Sequence, residues 1–228
     1  MLNEKHKEFI KLLERMSTRQ SIVDVFSDAV AVIACGIDQL SGCPKAREER
    51  YAGVMSRYDE EDRKGFCQLF SIVVEALELR RESFLGPVLE EIGASNTRNG
   101  QFLTPVDLAK LMGRIVSAPT ATAAKHRPGE LVTLNDPACG AGVLMIQTAE
   151  ELVQAGVPKR DIYIICGDID LRACDMTFIE LSLLGYAARI EHEDALSMKE
   201  YSRPRYTPGY FLYGTQWREN FKHTKKEM

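Results

Sequence analysis

The chain has 228 residues, 45% hydrophobic and 27% charged, a composition that supports a sizeable core in one large domain or in one domain plus a smaller one. Its longest apolar runs, such as Ala29 to Cys35, are too short to span a bilayer, and residues 1–15 (MLNEKHKEFIKLLER) lack the apolar core of a signal peptide, so no membrane partner and a cytoplasmic location are expected. A net charge of −4 disfavours an autonomous nucleic-acid binder, which needs Lys and Arg against phosphates.

A local basic patch remains open at Trp217 to Lys226 (WRENFKHTKK), with a solvated terminus as the plainer alternative. The six cysteines include no C-x-x-C pair, and the four histidines are scattered among charged residues. Free thiols, surface histidines and no metal site are expected.

Residues 1–98 read as all-helical. Phe9, Ile10, Leu12, Leu13 and Met16 follow helical spacing. Ile22 to Ile37 reads as a buried helix ending near Gly36, before a turn-rich stretch at Ser41 to Pro44. Asp59 is placed to cap a helix whose face is Phe66, Leu69, Phe70, Val73, Val74 and Leu77. Ser83 to Ile92 predicts another helix, and the polar residues 93–101 (GASNTRNGQ) mark a boundary. The expected division is a helical domain over 1–98 and a second domain over 99–228.

The second half changes character. Val106 to Val116 predicts a helix after Thr104-Pro105, with Thr104 as its cap and a loop from Ser117 to Glu130 beyond it. Strand 131–134, helix 141–155, strand 161–166, helix 171–184 and strand 188–191 then alternate. Short strands alternating with longer helices mean an α/β fold with a parallel sheet.

Ligands of such sheets bind beyond the carboxyl ends of the strands, where three features fall in order. The first is Asp136-Pro137-Ala138-Cys139-Gly140-Ala141-Gly142. Its glycines allow a sharp turn and a close approach, and Asp136 suits an amino-bearing ligand better than a pyrophosphate. A turn that merely packs would read the same way. Asp168, at the end of the second strand, is placed to accept from ribose hydroxyls, with Ile169 beside it for an adenine face and Asp170 as a helix cap. Glu193-Asp194-Ala195-Leu196 follows the third strand; alone it is a helix cap or a surface acid, but a carboxylate there can accept from an adenine amino group.

These residues resemble the cofactor motif of amino-group DNA methyltransferases, most closely the adenine-N6 modification subunits of type I restriction systems. Gly100-Gln101-Phe102-Leu103-Thr104-Pro105 resembles the G-x-(aromatic)-x-T-P motif that precedes the glycine loop in that family. The resemblance covers residues 85–198 and implies a partial Rossmann-like methyltransferase sheet behind an all-helical N-terminal domain. It implies S-adenosylmethionine as the cofactor and DNA as a partner. Thr104, with Phe102 and Leu103, would meet the methionine end, and Asp136 its amino group. Ala138, Cys139, Gly140 and Gly142 would form the loop beneath. Asp168 would bind ribose, Ile169 would pack on adenine, and Asp194 would accept from the adenine amino group.

The family's catalytic element, N/D/S-P-P-(aromatic), accepts from the target amino group and stacks on a flipped-out base. No Asn in this sequence precedes Pro-Pro, and the single Asp-Pro lies in the glycine loop. The nearest match, Thr207-Pro208-Gly209-Tyr210, lacks an amide or carboxylate acceptor. Tyr210, Tyr213 and Trp217 could offer a stacking ring, with core or edge-strand packing as the alternative. No catalytic residue is assigned. The sequence therefore suggests a truncated sheet of about four strands whose open edge invites a protein partner or a second copy. Two other readings stand beside it. One is a non-catalytic module docking on restriction-modification or other DNA-processing partners. The other is a methyltransferase acting on a small molecule or protein, against which the T-P motif argues.

Overall fold

A computed structural model describes residues 2–39, 45–93, 104–118, 126–127 and 129–214. Helix α1 (Glu4–Met16) starts at a capping box: the Asn3 side chain accepts from the His6 amide at 3.0 Å, and the His6 ring accepts from the Asn3 amide at 3.1 Å. His6 is buried and stacks on Phe84, which corrects its reading as a surface residue; burial lowers its pKa.

Helix α2 (Ile22–Gln39) runs past Gly36, its expected end. Ile37 is in the core and Asp38 takes an ion pair from Arg47 at 2.6 Å. Those contacts outweigh the roughly 1 kcal/mol that a glycine costs a helix. Helix α3 (Lys45–Met55) has no counterpart among the predicted helices, because only Val54 is buried and charged residues fill most of it. Helix α4 (Glu60–Leu79) is capped by Asp59, whose side chain accepts from the Glu61 and Asp62 amides, both at 3.0 Å, as its sequence predicts. Helix α5 (Leu85–Glu91) begins later than Ser83 and has no capping side chain of its own. In helix α6 (Val106–Ser117) Pro105 holds the N-cap position without a side-chain cap, so Thr104 lies one residue too early to serve.

Strands β1 (Val132–Asp136), β2 (Ile162–Asp168) and β3 (Ala187–Asp194) are parallel and adjacent in that order. Helices α7 (Val143–Gln154) and α8 (Leu171–Leu183) connect them. All three strands continue further at their carboxyl ends than predicted. The sequence turns polar there, but ladder bonds come from the backbone and polar residues pair as well as apolar ones. Two short strands, β4 (Lys199–Glu200) and β5 (Arg205–Tyr206), both add antiparallel to β3. Among the described residues β1 therefore keeps one edge unpaired. Residues 208–214 are helical, so Tyr210 packs from a helix, not an edge strand, with its ring 4.5 Å from Tyr206 and 5.9 Å from Tyr163. Trp217 and the basic segment around it lie outside the described residues.

One hydrophobic cluster runs from Phe9 of α1 to Ile190 of β3. Buried charge crosses the same junction. Arg205 of β5 pairs with Asp175 of α8 and lies 3.4 Å from Asp38 of α2, while Arg50 of α3 reaches Asp175 at 2.7 Å. Arg47 also donates to the Arg203 and Pro204 carbonyls. A second knot joins Arg81, whose Nε donates to both Glu150 oxygens at 2.9 Å, to the Tyr186 hydroxyl, which donates to the same carboxylate at 2.8 Å. The helices before α6 are thus keyed into the sheet by paired charges that would be costly to separate.

Candidate functional site

The register sets the carboxyl ends of the three parallel strands side by side: Asp136 lies across from Cys166, and Asp168 across from His192, two residues before Asp194. Between β1 and α7 the loop turns through Gly140 (φ 54°) and Gly142 (φ 74°), both left-handed. A side chain at Gly142 would also meet Thr177 of α8 at 2.9 Å, so the position demands glycine twice over.

The loop is held from several directions. The Asp136 carboxylate accepts from the Ala138 amide at 3.1 Å. The Cys139 amide donates to the Gly167 carbonyl at 2.9 Å, the Gly140 amide to Asp168 at 2.8 Å, and the Thr177 hydroxyl to the Gly140 carbonyl at 2.9 Å. From the other side α5 presses on it: a side chain at Gly86 would stand 3.2 Å from the Ala141 Cβ and 3.4 Å from Val143. The amino end of α5 is in turn fixed by Glu180 of α8, which accepts the Phe84 and Leu85 amides at 2.7 and 2.6 Å. This internal carboxylate replaces the missing cap. The helical region therefore buttresses the glycine loop directly.

The electrostatics divide the acids into two groups. Burial raises the pKa of Asp168, opposed by the amides of Asp170 and Gly140 that its carboxylate accepts. Burial also pushes Glu180 up to about 7 against the two amides that favour its ion. Asp194 goes the other way: the Ser197 hydroxyl and the Ser197 and Leu196 amides hold its pKa low. Three thiols lie beneath the loop. Contact with Cys139, then burial, holds Cys166 well above the usual thiol range, and burial does the same for Cys174. Among the described residues Cys35, Cys67, Cys139, Cys166 and Cys174 form no disulfide.

The structure brings Asp136, Ala138, Cys139, Gly140, Gly142, Asp168, Ile169 and Asp194 to one edge of the sheet. Cys139 is buried with its sulfur 3.7 Å from the Thr177 hydroxyl, so only its backbone faces outward. Ile169 is 60% exposed, an apolar side chain standing open directly after two fully engaged strand-end residues. Asp170 caps α8 through the Arg172 amide at 2.9 Å, as read from sequence. Glu193 and Asp194 are the last residues of β3 itself and do not follow it. Thr104 is half-buried just ahead of α6; Phe102 lies outside the described residues.

Sequence reasoning missed Glu180 and Thr177. The signal for Glu180 was present, as a lone acid inside the apolar stretch Phe178 to Leu184.

These residues fall within a match of the chain to the family described as N-6 DNA methylase, over residues 87–220, more than half of its length. The chain belongs to the N-6 DNA methylase family. No curated protein and no solved structure matches it. Within this family member, the segment nearest to a base-presenting motif has other duties. The Thr207 hydroxyl donates to the Tyr186 carbonyl at 2.6 Å and accepts from the Ala188 amide at 2.8 Å, fully buried. A side chain at Gly209 would collide with the Tyr186 carbonyl at 2.6 Å. This segment fastens β5 and the following helix to β3. Among the described residues no cluster of His, Cys, Asp and Glu could hold a metal, and no helix is long and apolar enough to cross a membrane.

Proposed function

We propose that the chain is the S-adenosylmethionine-binding part of an adenine-specific DNA methyltransferase of the restriction-modification type, a cytoplasmic protein that does not complete the reaction by itself. The single observation that carries the reading is the glycine loop, locked against Asp168 and Thr177 and flanked by Asp136 and an exposed Ile169 at one strand edge.

The donor set suits that cofactor. Asp136 uses one oxygen on the Ala138 amide and keeps the other for an amino group. Asp168 engages one oxygen with each of two amides, and each oxygen retains a lone pair for a ribose hydroxyl. Ile169 offers an apolar surface to a purine ring, and Thr104 and Phe102 would close over the methionine end. The cofactor when bound supplies an electrophilic methyl group. The chain's own residues bind and orient it, with the helical domain over 1–98 bracing the loop through Gly86 of α5, whose amino end Glu180 of α8 holds, within a Rossmann-like sheet over 99–228. The acceptor side is the deficit: the base-presenting motif is missing from the sequence and its nearest match, Thr207 to Tyr210, is used structurally, so that function falls to a protein partner or second copy at the open sheet edge, with DNA as substrate.

Titration calorimetry with S-adenosylmethionine and S-adenosylhomocysteine tests the binding, and no heat at millimolar ligand would sink it. A labelled-methyl assay on unmodified DNA tests the incompleteness; turnover by the isolated chain would refute that half. A second reading, a docking module that never uses cofactor, is favoured by the structural use of Thr207. It requires Asp136→Ala and Asp168→Ala to leave function intact.

A further inference from the structure

Helix α6 packs on α7 and leaves an apolar stripe uncovered. Leu108, Leu111, Met112 and Ile115 are exposed and fall at i, i+3, i+4 and i+7, on one face. The opposite face is already used: Ala109, Gly113 and Ser117 are buried, and Gly113 lies against the backbone of Gln147 and Thr148 in α7. An exposed apolar helix face of this kind is an interaction surface.

We propose that this face joins two copies of the chain about a twofold axis, with the α6 helices antiparallel. A second copy fits because the face is self-complementary. An axis passing between Leu111 and Met112 sets Leu108 against Ile115 of the other copy and Leu111 against Met112. The charges agree with the same axis. Asp107 and Arg114 are seven residues apart, hence on one flank of the stripe, near opposite ends of it. Antiparallel pairing folds that flank onto its own copy and brings Asp107 of each chain toward Arg114 of the other. Asp107 is exposed and carries no ion pair among the described residues, while Arg114 is steadied by Glu151 at 3.2 Å. A parallel arrangement would set like charges together.

The inference does not depend on the cofactor reading, and its test uses the full chain without ligand. Sedimentation across a micromolar to hundred-micromolar series should show a species of twice 25.6 kDa. Leu111→Lys with Ile115→Lys should give a monomer with an unchanged circular dichroism spectrum, since both side chains are exposed. Asp107→Arg should weaken the dimer by about tenfold or more, because it places like charges across the contact. Asp107→Arg combined with Arg114→Asp should restore it, with Glu151→Gln added to remove the like charge beside position 114. A chain that stays monomeric throughout, one that associates only with a different protein, or a dimer indifferent to the α6 substitutions would each overturn the proposal. Failure of the double exchange to rescue would overturn the antiparallel pairing.

Discussion

The two flanks of the sheet are finished in opposite ways. Beyond β3 the chain doubles back, with β4 and then β5 pairing antiparallel to it, Thr207 bonded into its backbone, and Arg205 sunk between Asp175 and Asp38. At β1 one edge is bare among the described residues, and α6 carries an exposed apolar face. The same chain thus uses buried, charge-paired closure where it has to hold itself together and leaves apolar, unpaired surface where something else can dock. Substitutions on the first flank should cost stability; substitutions on the second should cost association and leave the fold alone.

The largest effect should come from Arg205→Met. It takes from Asp175, wholly buried, and from Asp38 the cation they share, leaving them Arg50 and Arg47, and breaking a buried pair from one side costs up to about 3–5 kcal/mol. Urea unfolding should show the drop. If the variant unfolds like the parent, the β3 flank is not the clamp described here, and the contrast with β1 fails.

Glu180→Gln comes next and sharpens the contrast inside the molecule. The folded carboxyl titrates at about 7, above the ordinary 4.5, so between those values the folded chain binds more protons than the unfolded one. Stability contributed by the protonated form is therefore present below 4.5 and lost as pH rises toward 7, by about 3 kcal/mol for a shift of this size. Glutamine keeps an oxygen for the Phe84 and Leu85 amides and carries no charge. The variant should lose that slope and exceed the parent in stability above neutrality. Denaturant midpoints taken across the window check it; equal slopes in both proteins would refute the assignment.

How much of this was legible in the sequence follows from what each residue uses to make its contacts. The α/β alternation, Asp59 and Asp170 as caps, and the glycine loop between Asp136 and Asp168 all rest on local spacing, and each stands in the structure at the place read for it. Helix α3 escaped because it buries little, and α2 overran Gly36 because Ile37 and Asp38 find partners distant in sequence. The site's supports were invisible for the same reason. Glu180 acts on Phe84 and Leu85 across 95 or 96 positions, and Thr177 on Gly140 across 37. Spacing reveals which residues face the ligand edge, whereas what holds them there is written in tertiary contacts.

Gly142→Ala tests one of those contacts. A left-handed backbone at φ 74° with Thr177 2.9 Å from the new carbon should lower stability by about 1–3 kcal/mol. The thermal midpoint should fall accordingly, and Thr177→Ser, which removes the crowding methyl, should recover part of it. A neutral Gly142→Ala would mean that the loop is not fixed against α8.

The smallest stability effect belongs to Ile169→Ala, and there the comparison between closed and open surfaces becomes a statement about function. Asp168 and Ile169 are neighbours at the end of one strand, yet the first accepts two backbone amides and the second stands 60% exposed. Truncating an exposed side chain should leave unfolding within about 0.5 kcal/mol of the parent. If Ile169 packs on a purine, the same truncation removes apolar surface from the bound state and should weaken S-adenosylmethionine roughly tenfold, a loss of about 1.4 kcal/mol. Both readouts moving together would make Ile169 a packing residue. Only a fall in affinity at constant stability assigns it to the ligand, and unchanged affinity would remove the adenine face from the proposed site.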